Sequence, residues 1–147
     1  EGYEDLILKL KIKREKMLDI RWEQRFQNFE SAFKKLSKAV KRDINDDVIR
    51  SGIIQTFEFT FELAWKTLKD FLQFYGFNVS SPRMVIKQAY QEGYIKKGDV
   101  WLDALEKRNL IANTYNENQA NEVVKLIKEK YFIMLKDLYK YLKKESK

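Results

Sequence analysis

The sequence predicts an all-α protein, a helical bundle with short connections. Three observations carry that expectation: only five glycines and one proline occur in 147 residues, apolar side chains recur at steps of three and four, and strand-like alternation is absent. A chain of this length forms one domain with enough residues to bury a real core.

Each element has its own warrant. From about Ile20 to Val40, the side chains Trp22, Phe26, Phe29, Phe33, Leu36 and Val40 line one face of a helix, the pattern of a bundle seam. Asp46 can cap a second, long helix running to about Tyr75, where Gly76 suits the left-handed residue that follows a helix end. Thirty residues at ~1.5 Å each would span roughly 45 Å. Its stripe is Ile53, Phe57, Phe61, Ala64, Leu68, Phe71 and Tyr75, with Phe59, Leu63 and Leu72 expected to widen the apolar surface. Such a helix must be covered by several neighbours.

Ser81 before Pro82 starts a short helix that Gly93 closes, since proline at the first helical position loses no hydrogen bond. Asp99 is expected to cap a helix through Trp101, Leu102, Leu105 and Leu110. Asn116 with Gln119 has the form of a capping box and opens the last helix, with Val123, Val124, Ile127, Tyr131, Met134, Leu135, Leu138 and Leu142 on its apolar side. Residues 1–16 read as an N-terminal extension, helical if Leu6, Ile7 and Leu10 continue the first helix, ahead of a single helical-bundle domain at 17–147. Met17 reads as a native start, which leaves the extension as an upstream remnant, an artefact or a docking helix.

Composition closes several chemistries. With no cysteine there are no disulfides, thiolate nucleophiles or thiolate zinc sites, and with no histidine the usual general base and the commonest transition-metal ligand are missing. No metal site is expected, and most hydrolase mechanisms are closed to this chain alone. Neither a membrane span nor a signal peptide is supported, so the expected location is cytoplasmic. The net charge of +7 is densest from Lys125 to Lys147, where eight lysines face Glu129, Asp137 and Glu145. That face either attracts phosphate or is simply a solvated helix surface.

The segment from Arg108 to Tyr115 is the most informative for function. An arginine followed at five residues by a proton-transfer group and at seven by a tyrosine can bring guanidinium, base and phenol together where a helix ends and turns. Here the middle position is Asn113, which does not titrate. Arg108 suits phosphate through its planar donor fork, or else pairs with Glu58 or Glu62 on the long helix. Asn109 and Asn113 can hydrogen-bond a ligand or satisfy backbone groups at the helix end. Tyr115 is either an acceptor hydroxyl or a half-buried core phenol. Glu58, Glu62, Lys66 and Asp70 follow at four-residue steps along the long helix; the flanking Phe57, Phe59, Phe61 and Trp65 imply partial burial, which requires a cationic partner for the carboxylates.

Taken in order, Arg21-Trp22-Glu23-Gln24-Arg25-Phe26 through Phe29, the run from Gln55 to Lys69, Ser81-Pro82-Arg83, and Arg108 to Tyr115 resemble one family. It is the nucleotidyltransferase substrate-binding family within the HEPN superfamily, and the resemblance covers about residues 20 to 142. It implies an up-and-down antiparallel bundle of four main helices plus short ones, usually a homodimer, paired with a separate minimal nucleotidyltransferase that supplies the metal-binding carboxylates. That partner would use ATP or another NTP with magnesium; no cofactor is implied for this chain. In active ribonuclease toxins of the superfamily the motif is arginine, four residues, histidine, one residue, tyrosine, and the tyrosine can receive adenylate. Arg108 and Tyr115 match that motif, and Asn113 departs from it.

An amide does not accept a proton near neutral pH, so binding and modification survive the departure better than cleavage. The resemblance therefore favours a noncatalytic substrate-binding or toxin–antitoxin-type subunit with candidate binding residues Arg108, Asn109, Asn113, Glu58, Glu62 and Lys66 and candidate nucleotidyl acceptor Tyr115. The alternatives are a ribonuclease toxin weakened at Asn113 and a basic RNA-binding adaptor. An aromatic fraction of 14% further suggests more rings than one core can bury, and hence a subunit interface.

Overall fold

A computed structural model describes residues 2–43, 46–111 and 116–147, with the backbone alone for 109–111. Helix α1 spans Gly2–Ala39, α2 Asp47–Phe74, α3 Pro82–Gln91, α4 Gly98–Ile111, α5 Glu117–Leu126 and α6 Phe132–Glu145, with a π-helical turn at Ile127–Tyr131 joining the last two. Among the described residues there are no strands.

Partner residues give the topology. Trp22 meets Phe71, Arg25 meets Asp70 and Thr60 reaches the carbonyl of Ala32, so numbers rise on α1 as they fall on α2 and the two are antiparallel. Phe132 stacks on Phe33, Tyr139 bonds Glu30 and Ser146 bonds Glu23, so α6 is also antiparallel to α1. Phe57–Tyr131 and Phe71–Tyr141 run in the same sense, which makes α5–α6 parallel to α2. The return rod is divided into α3 and α4. This is an up-and-down bundle with α2 at its centre.

The expected punctuation is present at most joints. Asp46 accepts from the Val48 N–H at 2.7 Å, and Asn116 and Gln119 exchange side-chain and backbone bonds at 2.9 and 3.0 Å. Gly76 and Gly93 take φ of +93° and +80°, while Phe77 and Tyr94 donate back five residues to Leu72 and Ala89, the six-to-one bond of a helix ended by a left-handed glycine. Asp99 is not the cap expected of it. Helix α4 begins at Gly98, and the Trp101 N–H donates to Lys97 O at 3.1 Å, so Asp99 sits in the first turn, where its charge complements the helix dipole.

The core holds Trp22, Phe26, Phe29 and Phe33 of α1, all nearly fully buried, against Phe57, Phe61, Trp65 and Phe71 of α2 and against Trp101 and Tyr131. Among the described residues these ten rings are buried, six more are half-buried against them, and Tyr3, Phe59, Tyr75 and Tyr90 are exposed. Two members of the expected α2 surface point outward instead: Phe59 and Tyr75 are 62% and 51% exposed. Phe59 lies two residues, about 200°, from buried Phe57, which puts it on the opposite side of the helix. The core positions of α2 also include Thr60 and Thr67, whose hydroxyls bond back to the carbonyls of Thr56 and Leu63 at 2.7 and 2.6 Å. Helix α1 extends well beyond the bundle: residues 2–17 are exposed throughout, and their apolar members include Tyr3, Leu6, Leu8, Leu10 and Met17.

Asp70 is a charged group in this core. It is 1% exposed, accepts from Arg25 Nε at 2.9 Å, and leaves its second oxygen without a partner. Removing the guanidinium strands a buried carboxylate. Arg25→Met should lower the unfolding free energy in urea by about 2–4 kcal/mol, the lower part of the usual cost because Arg25 is one-third exposed. Arg25→Met with Asp70→Leu should recover most of that loss.

Candidate functional site

Where α4 crosses α2, Arg108 forms an ion pair through Nη1 with Glu62 Oε1. The other Glu62 oxygen accepts from Trp65 Nε1 at 2.6 Å, so the carboxylate is held from its own helix and from α4. The guanidinium lies 6.0 Å from the Phe61 ring centre, and Phe61 in turn leans on Trp101. This aromatic floor makes the pair partly dry: the side chains of Arg108 and Glu62 are 21% and 37% exposed. One turn earlier, burial pushes the Glu58 carboxyl above its ordinary range, while the nearby positive charge of Arg108 pulls it back.

The line of charges on α2 divides as it advances. A four-residue step turns a helix about 40° past a full circle. Glu58, Glu62 and Lys66 stay half-buried, and the drift carries Asp70 round into the seam with α1. Of the predicted site residues, Arg108 and Glu62 are therefore brought into contact, Glu58 lies within their field, and Lys66 follows a turn away. Asn109 belongs to α4 by its backbone, and its side chain lies outside the described residues, as do Asn113 and Tyr115 entirely.

A second polar group beside the pair has no counterpart in the sequence reading. Tyr131, fully buried, donates its hydroxyl to Asp103 Oδ2 and stacks on Phe57 at 5.4 Å; Lys107 reaches the other Asp103 oxygen at 3.5 Å. Burial, with the Asp103 carboxylate behind it, drives the Tyr131 phenol far above its usual range. Tyr131 closes the π turn, in which the Phe132 N–H donates five residues back to Ile127 O. Asp103 and Lys107 are an ordinary four-residue pair by sequence, and Tyr131 continues an apolar stripe, so nothing in their spacing indicates the contact. Further along, Arg50 pairs with Asp47 and with Glu117 at 3.4 Å, tying the start of α5 to the start of α2.

Among the described residues no group of three or more Asp or Glu side chains is placed to hold a metal ion, and no helix is long and apolar enough to cross a membrane.

The class of protein defined by these features is an all-α, up-and-down helical bundle with an arginine–carboxylate pair held on an aromatic floor. Over residues 24–144 the chain matches the family described as nucleotidyltransferase substrate binding protein like, and it belongs to that family. A crystal structure of a Thermus thermophilus protein is similar, with 28% sequence identity and a TM-score of 0.72, covering 78% of this chain and 98% of that one. No curated protein matches.

The direction of the Glu58 shift has a testable sign. A carboxyl whose folded-state pKa is raised opposes folding at neutral pH, and that opposition disappears as pH falls below its folded and then its unfolded pKa. Glu58→Gln should raise the urea midpoint at pH 7, and the gain should shrink as the medium is acidified through the carboxylate range. Carboxyl titration by NMR should show the Glu58 pKa rising further in Arg108→Gln.

Proposed function

We propose that this chain is the noncatalytic substrate-binding subunit of a two-component nucleotidyltransferase. It docks a separate minimal nucleotidyltransferase, which brings an NTP with magnesium, and it presents the α4 end at Arg108 to the phosphate of a nucleotide or nucleic acid. The observation that carries this reading is the family match over residues 24–144, joined to an arginine that Glu62 and Phe61 hold at the start of the Arg108–Tyr115 segment. A bidentate phosphate is a natural ligand for a guanidinium held in this way. Glu58 and Glu62 set how much positive charge a ligand meets there, and Lys66, Asn109 and Asn113 supply further donors.

Tyr115 is the acceptor in the self-modifying form of this function. Its phenol oxygen would attack the α-phosphorus of the partner's NTP, forming a phosphate ester as the α–β bridge breaks. Pyrophosphate leaves with magnesium, and the phenol proton passes to a base on the partner. With asparagine at 113, this chain lacks the proton acceptor that ribonuclease chemistry at the same segment would use. The toxin–antitoxin reading is thereby narrowed to the silent, binding partner. A homodimer in the cytoplasm fits the same reading, and the exposed apolar residues of α1 offer area for it.

Co-expression with the minimal nucleotidyltransferase, followed by gel filtration and intact-mass measurement with ATP and magnesium, tests both parts. The expected result is a stable complex and a mass gain of one nucleotidyl group that Tyr115→Phe abolishes. A complex without mass gain would keep the binding role and remove the acceptor role. Failure to form any complex would overturn the proposal.

A further inference from the structure

A recess of about 260 Å³ opens between the α3–α4 connection and α6, away from Arg108. Lys97 immediately precedes α4 and Arg108 lies eleven residues on, so the two places are about 16 Å apart along the helix. The recess has an apolar floor of Trp101, Met134 and Leu138, each at least 98% buried. Tyr94 and Tyr141 form one wall, stacked with ring centres 5.5 Å apart and planes at 27°. Lys96 and Lys97 stand on one side of the mouth and Lys140 and Lys144 on the other; Asp137 is the one carboxylate among the lining residues.

The polar inventory is one-sided. All four lysines are exposed and none forms an ion pair among the described residues, nor does either phenol hydroxyl have a hydrogen-bond partner there. Burial raises both phenols, Tyr141 to about 12 with help from Glu145, so both are O–H donors at neutral pH. The lining thus offers four ammonium groups and two phenols against one carboxylate, with Glu145 beyond it near the tyrosine wall, over a floor of apolar side chains. A solvated lysine surface needs neither that floor nor the tyrosine wall.

We propose that this recess binds a phosphorylated ring compound of the size of a nucleoside monophosphate, with the phosphate among the lysines and the planar ring on the apolar floor beside Tyr94 and Tyr141. The site is separate from the Arg108 end of α4 and does not depend on the function proposed there. The same chemistry is available as a free mononucleotide or as the 5′-phosphorylated end of a nucleic-acid strand.

Calorimetric titration of the full chain at low salt tests the assignment, using AMP and UMP, the two partial ligands adenosine and inorganic phosphate, and a short 5′-phosphorylated oligonucleotide. The expected result is a saturable mononucleotide-binding component of one site per chain that is weakened by about tenfold or more in either partial ligand and in Lys140→Glu with Lys144→Glu, which removes charge-assisted contacts. Added salt should weaken it, and any binding at Arg108 should appear as a second component that the lysine pair does not affect. Oligonucleotide binding about tenfold tighter than AMP would name a strand end as the source; parity or weaker binding would name the free nucleotide. The proposal is overturned if no mononucleotide saturates the chain at millimolar concentration, if inorganic phosphate binds as tightly as AMP, or if all mononucleotide binding ignores the lysine pair.

Discussion

The encirclement of α2 governs the rest of the structure. Helices α1, α3, α5 and α6 all pack on it, and α4 meets it through Phe61 and Glu62. The polar side chains on its covered faces have little solvent, so those that are buried there need a protein partner. Arg50 finds Asp47 and Glu117, the two core threonines return to carbonyls of their own helix, Glu62 is shared by Trp65 and Arg108, and Asp70 takes Arg25. Several of those partners come from other helices. The polar groups of α2 therefore fix how its neighbours are seated, and the apolar stripe supplies the free energy that holds them there.

Much of this was legible beforehand because the relevant signals are local. Asp46, Gly76, Ser81–Pro82, Gly93 and the Asn116–Gln119 box act within a few residues of themselves, and periodicity placed Trp22, Phe26, Phe29 and Phe33 in the core. Less legible were matters that depend on a second helix. Phe59 is as apolar as Phe57, and only the position of α1 and α5 decides which of them is covered. Asp99 has the chemistry of a cap, yet Gly98 joins the helix ahead of it. The joining of Tyr131 to Asp103 crosses twenty-eight residues and follows from a π turn that interrupts no apolar step.

At the candidate site, the sequence narrowed Arg108 to two occupations and the fold shows one of them, the ion pair with Glu62. That pairing is compatible with ligand binding because a guanidinium has five donors in a plane. It also sets a condition: an anion arriving at Arg108 meets a carboxylate already present, with Glu58 nearby, its carboxyl pushed above the ordinary range by burial and pulled back by the same guanidinium. The electrostatics of the site are consequently adjustable through α2, a rigid and central element, rather than through the segment that follows Arg108. Sites supported in this way hold their geometry better than sites built from loops alone.

The π turn has a consequence for how sequence length is tolerated here. Its hydrogen bond closes over five residues where an α-helix closes over four, so the rod from Glu117 to Glu145 contains, in effect, one residue more than an uninterrupted α-helix would place between its ends. Each residue of an α-helix advances the side chains by about 100°. Wound as an unbroken α-helix, the same residues would swing everything after the turn by about that angle, whereas a single deletion between Ile127 and Tyr131 would restore α-helical bonding and keep the flanking turns in phase. In that unbroken helix Phe132 and Tyr139 would leave the face of α1 on which they now stack. The phase of the final helix is thus recorded as one surplus residue, invisible to composition and to periodicity alike.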